Sequence, residues 1–440
     1  MPVQPNILFL FPDQHRGDWV PSNADLPIRM PNLAKLAERG MTFTRCYTPS
    51  PLCAPARACL ASGRSYDRCG VKNNGQPYPL DQPTYYQSLR DAAYHVCGVG
   101  KFDLDKPNLT WNVDGSHHLE EWGFTSGIDN EGKFDGSTSY LNNERTPQGP
   151  YLAYLAGRGL ADEYCREHRE VRHEFRDAYV TSLDEEAYCD NWLSENGKRF
   201  LRGFPAGTPW HLVVNFTGPH NPMDVTQRMH DAWDGVAFPP PHENHQENYF
   251  EDDHQRNRRH YAAELENIDR QVGEFMKIVE ERGELDNTLV VYSSDHGEML
   301  GEYGRWGKST WQEPSVLVPL VAAGPGVKPN TTSDALVSLE DLAATFVDYA
   351  GSAPMPGMDA RSLRPLLEGA SEPHRDVVVG GLNDWRFVVD ARFKLVRKAG
   401  EEPCLYDREA GPWEDEDVAS QHPEVVARLR ASLPDETRNG

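Results

Sequence analysis

The segment Cys-Ala-Pro-Ala-Arg at residues 53–57 combines residue types that could do chemistry at the start of a helix. Pro55 suits a first helical turn, because its missing N–H would be unpaired there in any case. Cys53 would then lie at the positive end of the helix, where free N–H groups and the dipole favour negative charge. Arg57 would lie one turn along on the same side. The segment predicts a functional site, whereas the alternative is a buried structural cysteine, the usual state of a free thiol.

Two pairs of polar residues could bind a divalent metal ion. Asp13-Gln14 and Asp295-His296 each follow a continuous apolar run, so both pairs lie at the ends of predicted strands. Together they supply carboxylate, amide and imidazole donors, a mixed set that suits a divalent cation. Either pair alone is more often a turn or a cap. The presence of both, with Cys53 between them in the sequence, favours a metal-dependent site.

Apolar periodicity predicts the elements that would position these residues. Buried strands are predicted at 6–11, 211–216, 288–293 and 318–323. Helices are predicted at 31–39, at about 258–282 and, with a capping-box-like start, at 338–349. Strands that alternate with helices indicate an α/β fold, with a mostly parallel sheet flanked by helices. Such sheets bind ligands beyond the carboxyl ends of their strands, so distant regions of the sequence point to one site.

The pattern of the chain changes twice along its length. Residues 104–209 are polar, rich in aromatic residues and weakly periodic, which indicates insertions around the mouth of the site. After about residue 370, short strands are predicted at 385–390, 393–396 and 405–406, and a helix at about 423–433. We therefore predict a catalytic α/β domain over residues 1–370 and a small α+β domain with an antiparallel sheet over 371–440.

Composition restricts the partners and the compartment. The chain has 440 residues and a net charge of -24, which disfavours nucleic acid and anionic membranes as partners. Its eight cysteines contain no C-x-x-C pair, so neither a structural zinc site nor a disulfide scaffold is predicted. The first apolar run is shorter than a signal peptide requires and lacks a basic lead. These features predict a cytoplasmic protein, or a periplasmic or secreted one if a leader has been removed.

Six short motifs occur in an order that resembles the type I, formylglycine-dependent sulfatase family of the alkaline phosphatase superfamily. They are Asp13-Gln14, Cys53-x-Pro55-x-Arg57, Gly100-Lys101, Pro219-His220-x-Pro222, Ser294-Asp295-His296-Gly297 and Gly307-Lys308-Ser309-Thr310. The pattern Phe-Val-x-Asp, Phe-Lys-Leu-Val and Leu-Tyr-Asp near the C-terminus is similar to the tail of that family. Several motifs in one order are far more specific than any one of them. The layout is nearest to choline-sulfatase-like and phosphonate-monoester-hydrolase-like members.

The resemblance implies an alkaline-phosphatase-like fold and a hydrolase that cleaves sulfate esters. Cys53 would be oxidised to formylglycine by a formylglycine-generating enzyme, and its hydrated aldehyde would attack sulfur and expel an alcohol. Four residues would bind one divalent ion, Ca²⁺ first and Mg²⁺ or Mn²⁺ as alternatives. These are Asp13, Gln14, Asp295 and His296.

The resemblance also implies roles for the remaining motif residues. Arg57 would anchor the diol, while Lys101 and Lys308 would hold sulfate oxygens and offset charge in the transition state. His220 or Lys308 would protonate the leaving oxygen. Asn74 lies where the two cytoplasmic subgroups place a sulfate-binding asparagine, although Asn-Asn-Gly also suits a tight turn.

Asp103 departs from the family pattern, because the Gly-Lys motif of sulfatases is usually followed by a histidine at this position. A carboxylate there would repel a sulfate oxygen unless it were protonated or turned toward a cation. It could instead bind a hydroxyl or amine of the substrate. The first metal pair, Asp-Gln rather than Asp-Asp, also occurs in the two subgroups named above.

Three functions stay open at this point. The leading one is hydrolysis of a sulfate ester, either a small molecule or a sulfated sugar; the alternatives are a phosphonate monoester or phosphodiester hydrolase and an inactive binding member. Candidates for substrate contacts are Asn383, Trp385 and Arg386 in the tail, and each could equally serve packing. The two subgroups also imply a homo-oligomer.

Overall fold

The computed structural model describes residues 4–171, 177–242, 251–411 and 413–434. The strands are β1 (Asn6–Phe11), β2 (Met41–Tyr47), β3 (His95–Gly100), β4 (Ser126–Asp129), β5 (Ala178–Val180), β6 (Trp210–Asn215), β7 (Met223–Val225), β8 (Thr288–Ser293), β9 (Leu317–Ala323), β10 (Thr331–Ser333), β11 (Val337–Ser338), β12 (Val378–Leu382), β13 (Trp385–Val389), β14 (Phe393–Lys398) and β15 (Cys404–Asp407).

The helices surround the larger sheet and also cover the C-terminal one. They are α1 (Pro31–Glu38), α2 (Cys53–Ser62), α3 (Tyr85–Asp91), α4 (Leu119–Trp122), α5 (Lys133–Asn142), α6 (Pro150–Gly157), α7 (Ala161–Val171), α8 (Cys189–Gly203), α9 (Gln227–Trp233), α10 (Glu251–Glu281), α11 (Glu313–Val316), α12 (Asp341–Tyr349), α13 (Arg364–Leu367) and α14 (Pro423–Arg430).

The central sheet has the strand order β10-β2-β9-β8-β1-β6-β3-β4, with β11 beside β2. β8, β1, β6 and β3 are neighbours and run parallel. The loops that follow these four strands therefore leave the sheet at one edge, where α/β sheets bind ligands. The predicted α/β fold with a mostly parallel sheet is confirmed.

Helices pack on both faces of this sheet, which explains why central strands such as β1 and β8 are largely apolar. Every residue of β1, β6 and β8 is buried. Along β1, Phe9 joins one core cluster with Phe346 of α12, whereas Leu10 joins the opposite cluster with Phe275 of α10. The alternation of side chains thus fills two apolar layers at once.

The longest helix, α10, confirms the predicted apolar stripe, and the structure describes it from residue 251 rather than about 258. Its buried face includes Leu265, Ile268 and Val272, while charged residues cover the other face. Among the described residues, none of the helices combines the length and the apolar character that a membrane crossing requires.

One predicted strand has a direction that the sequence left open, and one predicted helix begins later than expected. The strand predicted at 318–323 exists as β9, but it pairs antiparallel with both β8 and β2. The helix predicted to begin at Ser338 begins at Asp341, and no side chain caps its N-terminus in the conventional way. Ser338 is still part of β11, and its N–H donates to the Asp341 carboxylate at 3.0 Å, which is one of the two hydrogen bonds of a capping box.

The C-terminal region forms its own antiparallel sheet with the order β12-β13-β14-β15, and α14 packs on it. Three of these strands and the helix confirm the predicted α+β pattern, whereas β12 was missed. The boundary at residues 370/371 stays a prediction, as does the interpretation of 104–209 as insertions. Residues 172–176 of that segment, and residues 412 and 435–440 of the tail, lie outside the described residues.

A buried ion-pair network joins the C-terminal sheet to α11, the helix that leads into β9. Lys394 of β14 is fully buried, and its Nζ lies 2.9 Å from Glu313 and 2.6 Å from Glu414. Replacing Lys394 by methionine would leave two buried carboxylates without this cation. We expect Lys394→Met to lower the free energy of unfolding by about 3–5 kcal/mol in urea titrations.

The matched control for that substitution is Lys398→Met, four residues along the same strand. Lys398 is solvent-exposed and pairs only with Glu401 in the part of the chain that the structure describes. An exposed pair of this kind is screened by water, so no measurable loss of stability is expected. Equal effects of the two substitutions would contradict a structural role for the buried network.

Asp341 gives the fold a predicted acid sensitivity. Burial opposes its ionisation, but hydrogen bonds from Arg375 and His374 outweigh burial and lower the pKa of Asp341 to about 2. A carboxyl with a lowered pKa adds stability above its unfolded pKa of about 4 and loses it as the pH falls toward 2. We expect Asp341→Asn to cost about 2.5 kcal/mol at pH 6, and urea titrations should show that cost shrinking below pH 4.

Candidate active site

Loops at the carboxyl ends of β1 and β8 bring the two predicted metal-binding pairs together. The Gln14 N–H donates to Asp295 Oδ1 at 2.9 Å, which ties the loop after β1 to the loop after β8. Ligand atoms of Asp13, Asp295, His296 and Cys53 all lie within 4.8 Å of one another. All four residues are buried. The structure thus joins two pairs that lie about 280 residues apart in the sequence.

Cys53 is the first residue of α2, so its side chain lies at the positive end of that helix as predicted. The Cys53 Sγ atom lies 3.2 Å from His296 Nε2 and 3.2 Å from Lys308 Nζ. Lys101 Nζ is 3.6 Å away, and Asp13 Oδ1 is 3.8 Å away. Cys53 therefore lies between the candidate metal ligands and two lysines, which a purely structural cysteine would not need.

Arg57 extends from the next turn of α2 and links both carboxylates. Its Nε donates to Asp295 Oδ2 at 3.0 Å, and its Nη2 lies 3.3 Å from Asp13 Oδ2. Its Nη1 donates to the Lys101 carbonyl at 2.5 Å and to Asn215 at 3.2 Å. Although burial opposes the charge, Asp295 and Asp13 raise the pKa of Arg57. The guanidinium therefore stays charged and fixes the carboxylates from behind.

Two lysines supply the remaining positive charge around Cys53. Lys101 follows β3 and forms an ion pair with Asp13. Lys308 lies in the loop after β8, where its Nζ donates to Gln14 Oε1 at 2.5 Å. Burial opposes the charge of Lys101, but Asp103 and Asp13 raise its pKa well above the ordinary value. Against burial, the charge of Lys101 also keeps the pKa of Asp13 well below its usual range.

The thiol of Cys53 is held in its neutral form. Burial and the neighbouring charge of Asp13 raise its pKa, although Lys101 and Lys308 act in the opposite direction. A thiolate is the nucleophilic form of cysteine, so an unmodified Cys53 would be a poor nucleophile here. These surroundings therefore disfavour nucleophilic attack by the sulfur of Cys53 itself.

The donor set fits a hard divalent cation. His296 Nδ1 lies 3.0 Å from the Gly297 carbonyl, which requires a proton on that nitrogen and leaves the Nε2 lone pair facing the cluster. Burial lowers the pKa of His296 to about 4, so the ring is neutral at physiological pH. Asp13 and Asp295 offer carboxylate oxygens, and Gln14 offers an amide oxygen.

His220 follows β6 on the same edge of the sheet. Its Nδ1 lies 2.5 Å from the Asn221 carbonyl, so this nitrogen is the donor and Nε2 is free to accept or pass on a proton. Burial, followed by the charge of Lys308, lowers its pKa well below the ordinary value. The next proline is anchored from behind, because buried Lys133 donates to the Pro222 carbonyl at 3.1 Å.

Asp103 is turned toward cations. Its Oδ2 lies 3.2 Å from Lys101 Nζ and 2.9 Å from Lys106 Nζ. These charges outweigh burial and lower the pKa of Asp103 to about 2, so the carboxylate is ionised. An aspartate in place of the usual histidine was expected to be either protonated or turned toward a cation, and Asp103 meets the second condition. Lys106 was not predicted from the sequence, since it lies outside every motif.

The remaining candidates lie in different surroundings. Asn74 accepts the Ala54 N–H at 3.1 Å and so lies at the N-terminus of α2. Arg386 pairs with Asp67 at 2.6 Å. Trp385 is buried against Trp311, and the Asn383 N–H donates to the Tyr66 hydroxyl. A substrate role for these residues stays a prediction.

Sequence reasoning missed several polar residues behind the site. Asn215 and Asn221 contact Arg57 and Gln14, and Glu298 accepts hydrogen bonds from Gln14 and from the loop that carries Lys308. The only signal was position, because Asn215 ends a buried strand and Glu298 follows the Asp-His-Gly motif. Their roles depend on contacts across the sheet edge, which spacing along the chain does not reveal.

Comparisons with known proteins relate nearly the whole chain to sulfatases. The profile of the family described as Sulfatase matches residues 5–352, and one described as N-sulphoglucosamine sulphohydrolase, C-terminal matches 301–439. A choline-sulfatase from Rhizobium meliloti is 30% identical over 93% of this chain and 81% of its own length. An N-acetylglucosamine-6-O-sulfatase from Bacteroides thetaiotaomicron is 25% identical over 85% of this chain and 72% of its own length. In fold, a phosphonate monoester hydrolase from Silicibacter pomeroyi is similar with a TM-score of 0.80 and 24% identity, covering 98% of this chain and 94% of its own.

Proposed function

The chain belongs to the sulfatase family and is a sulfuric ester hydrolase, and we propose that it cleaves its ester with a formylglycine formed from Cys53. The observation that carries the proposal is the surroundings of Cys53 Sγ, 3.2 Å from both His296 Nε2 and Lys308 Nζ. The buried, neutral thiol has little nucleophilic character of its own, whereas the two lysines beside it suit an oxygen nucleophile and an anionic substrate.

The chain's own residues have separable tasks in this proposal. Lys101 and Lys308 bind sulfate oxygens and offset the negative charge that builds up during displacement. Arg57 holds Asp13 and Asp295 in place and adds a third cation to the site. The leaving oxygen takes its proton either from the Lys308 ammonium or from His220, whose neutral ring must first accept a proton at Nε2. Formylglycine supplies a hydroxyl nucleophile and, after transfer, a route for releasing sulfate that a serine lacks.

Asp13, Gln14, Asp295 and His296 are the residues that would hold a divalent ion, with Ca²⁺ the first choice for a site rich in oxygen donors. When bound, the ion supplies a Lewis acid that neutralises charge on the nucleophile and the sulfate. Arg57 offsets part of the charge of Asp13 and Asp295 and holds both carboxylates in place for that ion.

We further propose a small-molecule or carbohydrate sulfate as the substrate. A relative named choline-sulfatase supports a small-molecule sulfate, and one named N-acetylglucosamine-6-O-sulfatase supports a carbohydrate sulfate. The runner-up is hydrolysis of phosphonate monoesters at the same site. The ionised Asp103, where sulfatases usually have an imidazole, favours it, because the carboxylate changes what the pocket offers to the leaving group.

The test is a mass measurement followed by parallel assays. The chain is co-produced with a formylglycine-generating enzyme, and the peptide containing Cys53 is weighed. A loss of about 18 Da, together with turnover of an aryl sulfate, is the expected result, because that mass is the difference between thiol and aldehyde. Conversion with preference for an aryl phosphonate monoester would promote the runner-up. An unmodified Cys53 and no turnover of either ester would overturn the assigned nucleophile.

A further inference from the structure

Glu298 lies directly behind Gln14 and is not used by the chemistry described so far. Its side chain is fully buried. Gln14 Nε2 donates to Glu298 Oε2, while the other oxygen, Oε1, accepts the Leu300 N–H at 3.1 Å and the Gly307 N–H at 2.5 Å. Three N–H donors therefore converge on one carboxyl group, which acts as the acceptor in all three contacts.

These contacts determine which way the Gln14 amide points. Its NH₂ group faces two acceptors, Glu298 Oε2 and Asn221 Oδ1. Its carbonyl oxygen faces the opposite way, toward Lys308 Nζ and the Cys53 side of the pocket. Only the oxygen of an amide can ligate a hard cation or accept from an ammonium group. The reversed orientation would place NH₂ against the lysine.

We propose that Glu298 is the positioning residue that aims the Gln14 carbonyl oxygen into the cation site. This inference rests on the proposed function, because it assumes that Gln14 ligates the metal. Glu298 also holds the backbone of Gly307, one residue before Lys308, so a single carboxylate sets the positions of an amide ligand and of a sulfate-binding lysine. Nothing in the residue types alone gives Glu298 this task, since it neither touches Cys53 nor belongs to the metal cluster.

The proposal makes an unusual prediction about paired substitutions. In Glu298→Gln, the new amide keeps its oxygen for Leu300 and Gly307, so its NH₂ group meets the NH₂ group of Gln14. Gln14 must then rotate, which turns its oxygen away from the pocket. Adding Gln14→Glu reverses the hydrogen bond, because the amide introduced at position 298 can now donate to one oxygen of the carboxylate introduced at position 14. The second oxygen of that carboxylate then faces the pocket. The double substitution also conserves net charge.

The experiment is a double-mutant cycle on Ca²⁺ binding, measured by calorimetric titration of the full chain after treatment with EDTA. Glu298→Gln should weaken Ca²⁺ binding about 10- to 100-fold, as loss of a group supporting a ligand typically does. In the Glu298→Gln background, adding Gln14→Glu should raise the affinity for Ca²⁺. This gain should be at least tenfold larger than the change that Gln14→Glu causes in the wild-type background. This non-additivity is the signature of a direct pair.

A matched control separates positioning from stability. Glu302 is another buried carboxylate of the same loop, but it pairs with Arg16 and Arg258. Glu302→Gln should lower the thermal midpoint without changing Ca²⁺ affinity. If Glu298→Gln does not fold, the proposal requires Gln14→Glu to restore both folding and binding.

The outcomes distinguish this inference from the proposed function. Wild-type binding of Ca²⁺ with purely additive effects in the cycle would overturn the role of Glu298 and leave the cation site intact. A wild-type chain that takes up no Ca²⁺ would instead overturn the assigned cation site, and the proposed task of Glu298 with it.

Discussion

Cys53→Ser is expected to lower kcat/KM for an aryl sulfate by at least about 10⁴-fold, because removing a nucleophile costs most of the catalysis an enzyme provides. Serine preserves the size and the position of the side chain at the start of α2. Serine lacks the thiol that the formylglycine-generating enzyme would oxidise, so the side chain should stay a plain hydroxyl. A sulfated serine would then lack the internal route that releases sulfate. The measurement is initial-rate turnover together with intact mass, which should show a trapped sulfate adduct or an unmodified serine.

The control is Cys59→Ala, which removes a second thiol of α2. Cys59 is a residue of α2 whose side chain is buried in the apolar core, and it does not belong to the metal cluster. The Cys59→Ala variant should lose some stability, because removing the sulfur leaves a small cavity. Its activity per folded molecule should be unchanged. An active Cys53→Ser enzyme would refute the nucleophile, and an inactive Cys59→Ala enzyme would show that the assay reports on folding of α2 instead.

Lys308→Met is expected to lower kcat by about 10²–10³-fold, the usual cost of removing one donor that stabilises a transition-state charge. Methionine keeps the length of the side chain and removes the ammonium that lies 3.2 Å from Cys53 Sγ and 2.5 Å from Gln14 Oε1. Steady-state kinetics should show a larger effect on kcat than on KM, because the charge on the sulfate oxygens and the nucleophile grows as the ester bond breaks.

Lys328→Met is the matched control for this effect. Lys328 is exposed and follows β9, which runs antiparallel to β8, so it lies toward the edge of the sheet opposite to the site. The substitution removes the same charge from the chain, so it should leave kcat within about twofold if general electrostatics are unimportant, given the screening of exposed charges. Similar losses in the two variants would mean that Lys308 acts only through the net charge of the protein.

Much of this site was predictable because its residues follow buried strands. The runs at 6–11 and 288–293 coincide with β1 and β8, and parallel pairing then requires the residues that follow them to meet at one edge. The motifs located Cys53 and Arg57 at the start of a helix, where the structure also has them. Local chemistry and a regular sheet were sufficient for this part.

The parts that were missed depend on contacts between distant segments. The antiparallel direction of β9 cannot be read from an apolar run, because a strand buried on both faces has the same composition in either direction. The cations that neutralise Asp103 include Lys106, whose relevance appears only when the loop after β3 folds back. For the same reason, spacing did not indicate that Arg386 would pair with Asp67.

The ring of cations around Cys53 has a consequence for the end of the catalytic cycle. A sulfate ester carries one negative charge, whereas the inorganic sulfate left after hydrolysis carries two. Lys101, Lys308 and Arg57 would therefore attract the product more strongly than the substrate. Free sulfate in the medium would therefore compete with the ester for the site.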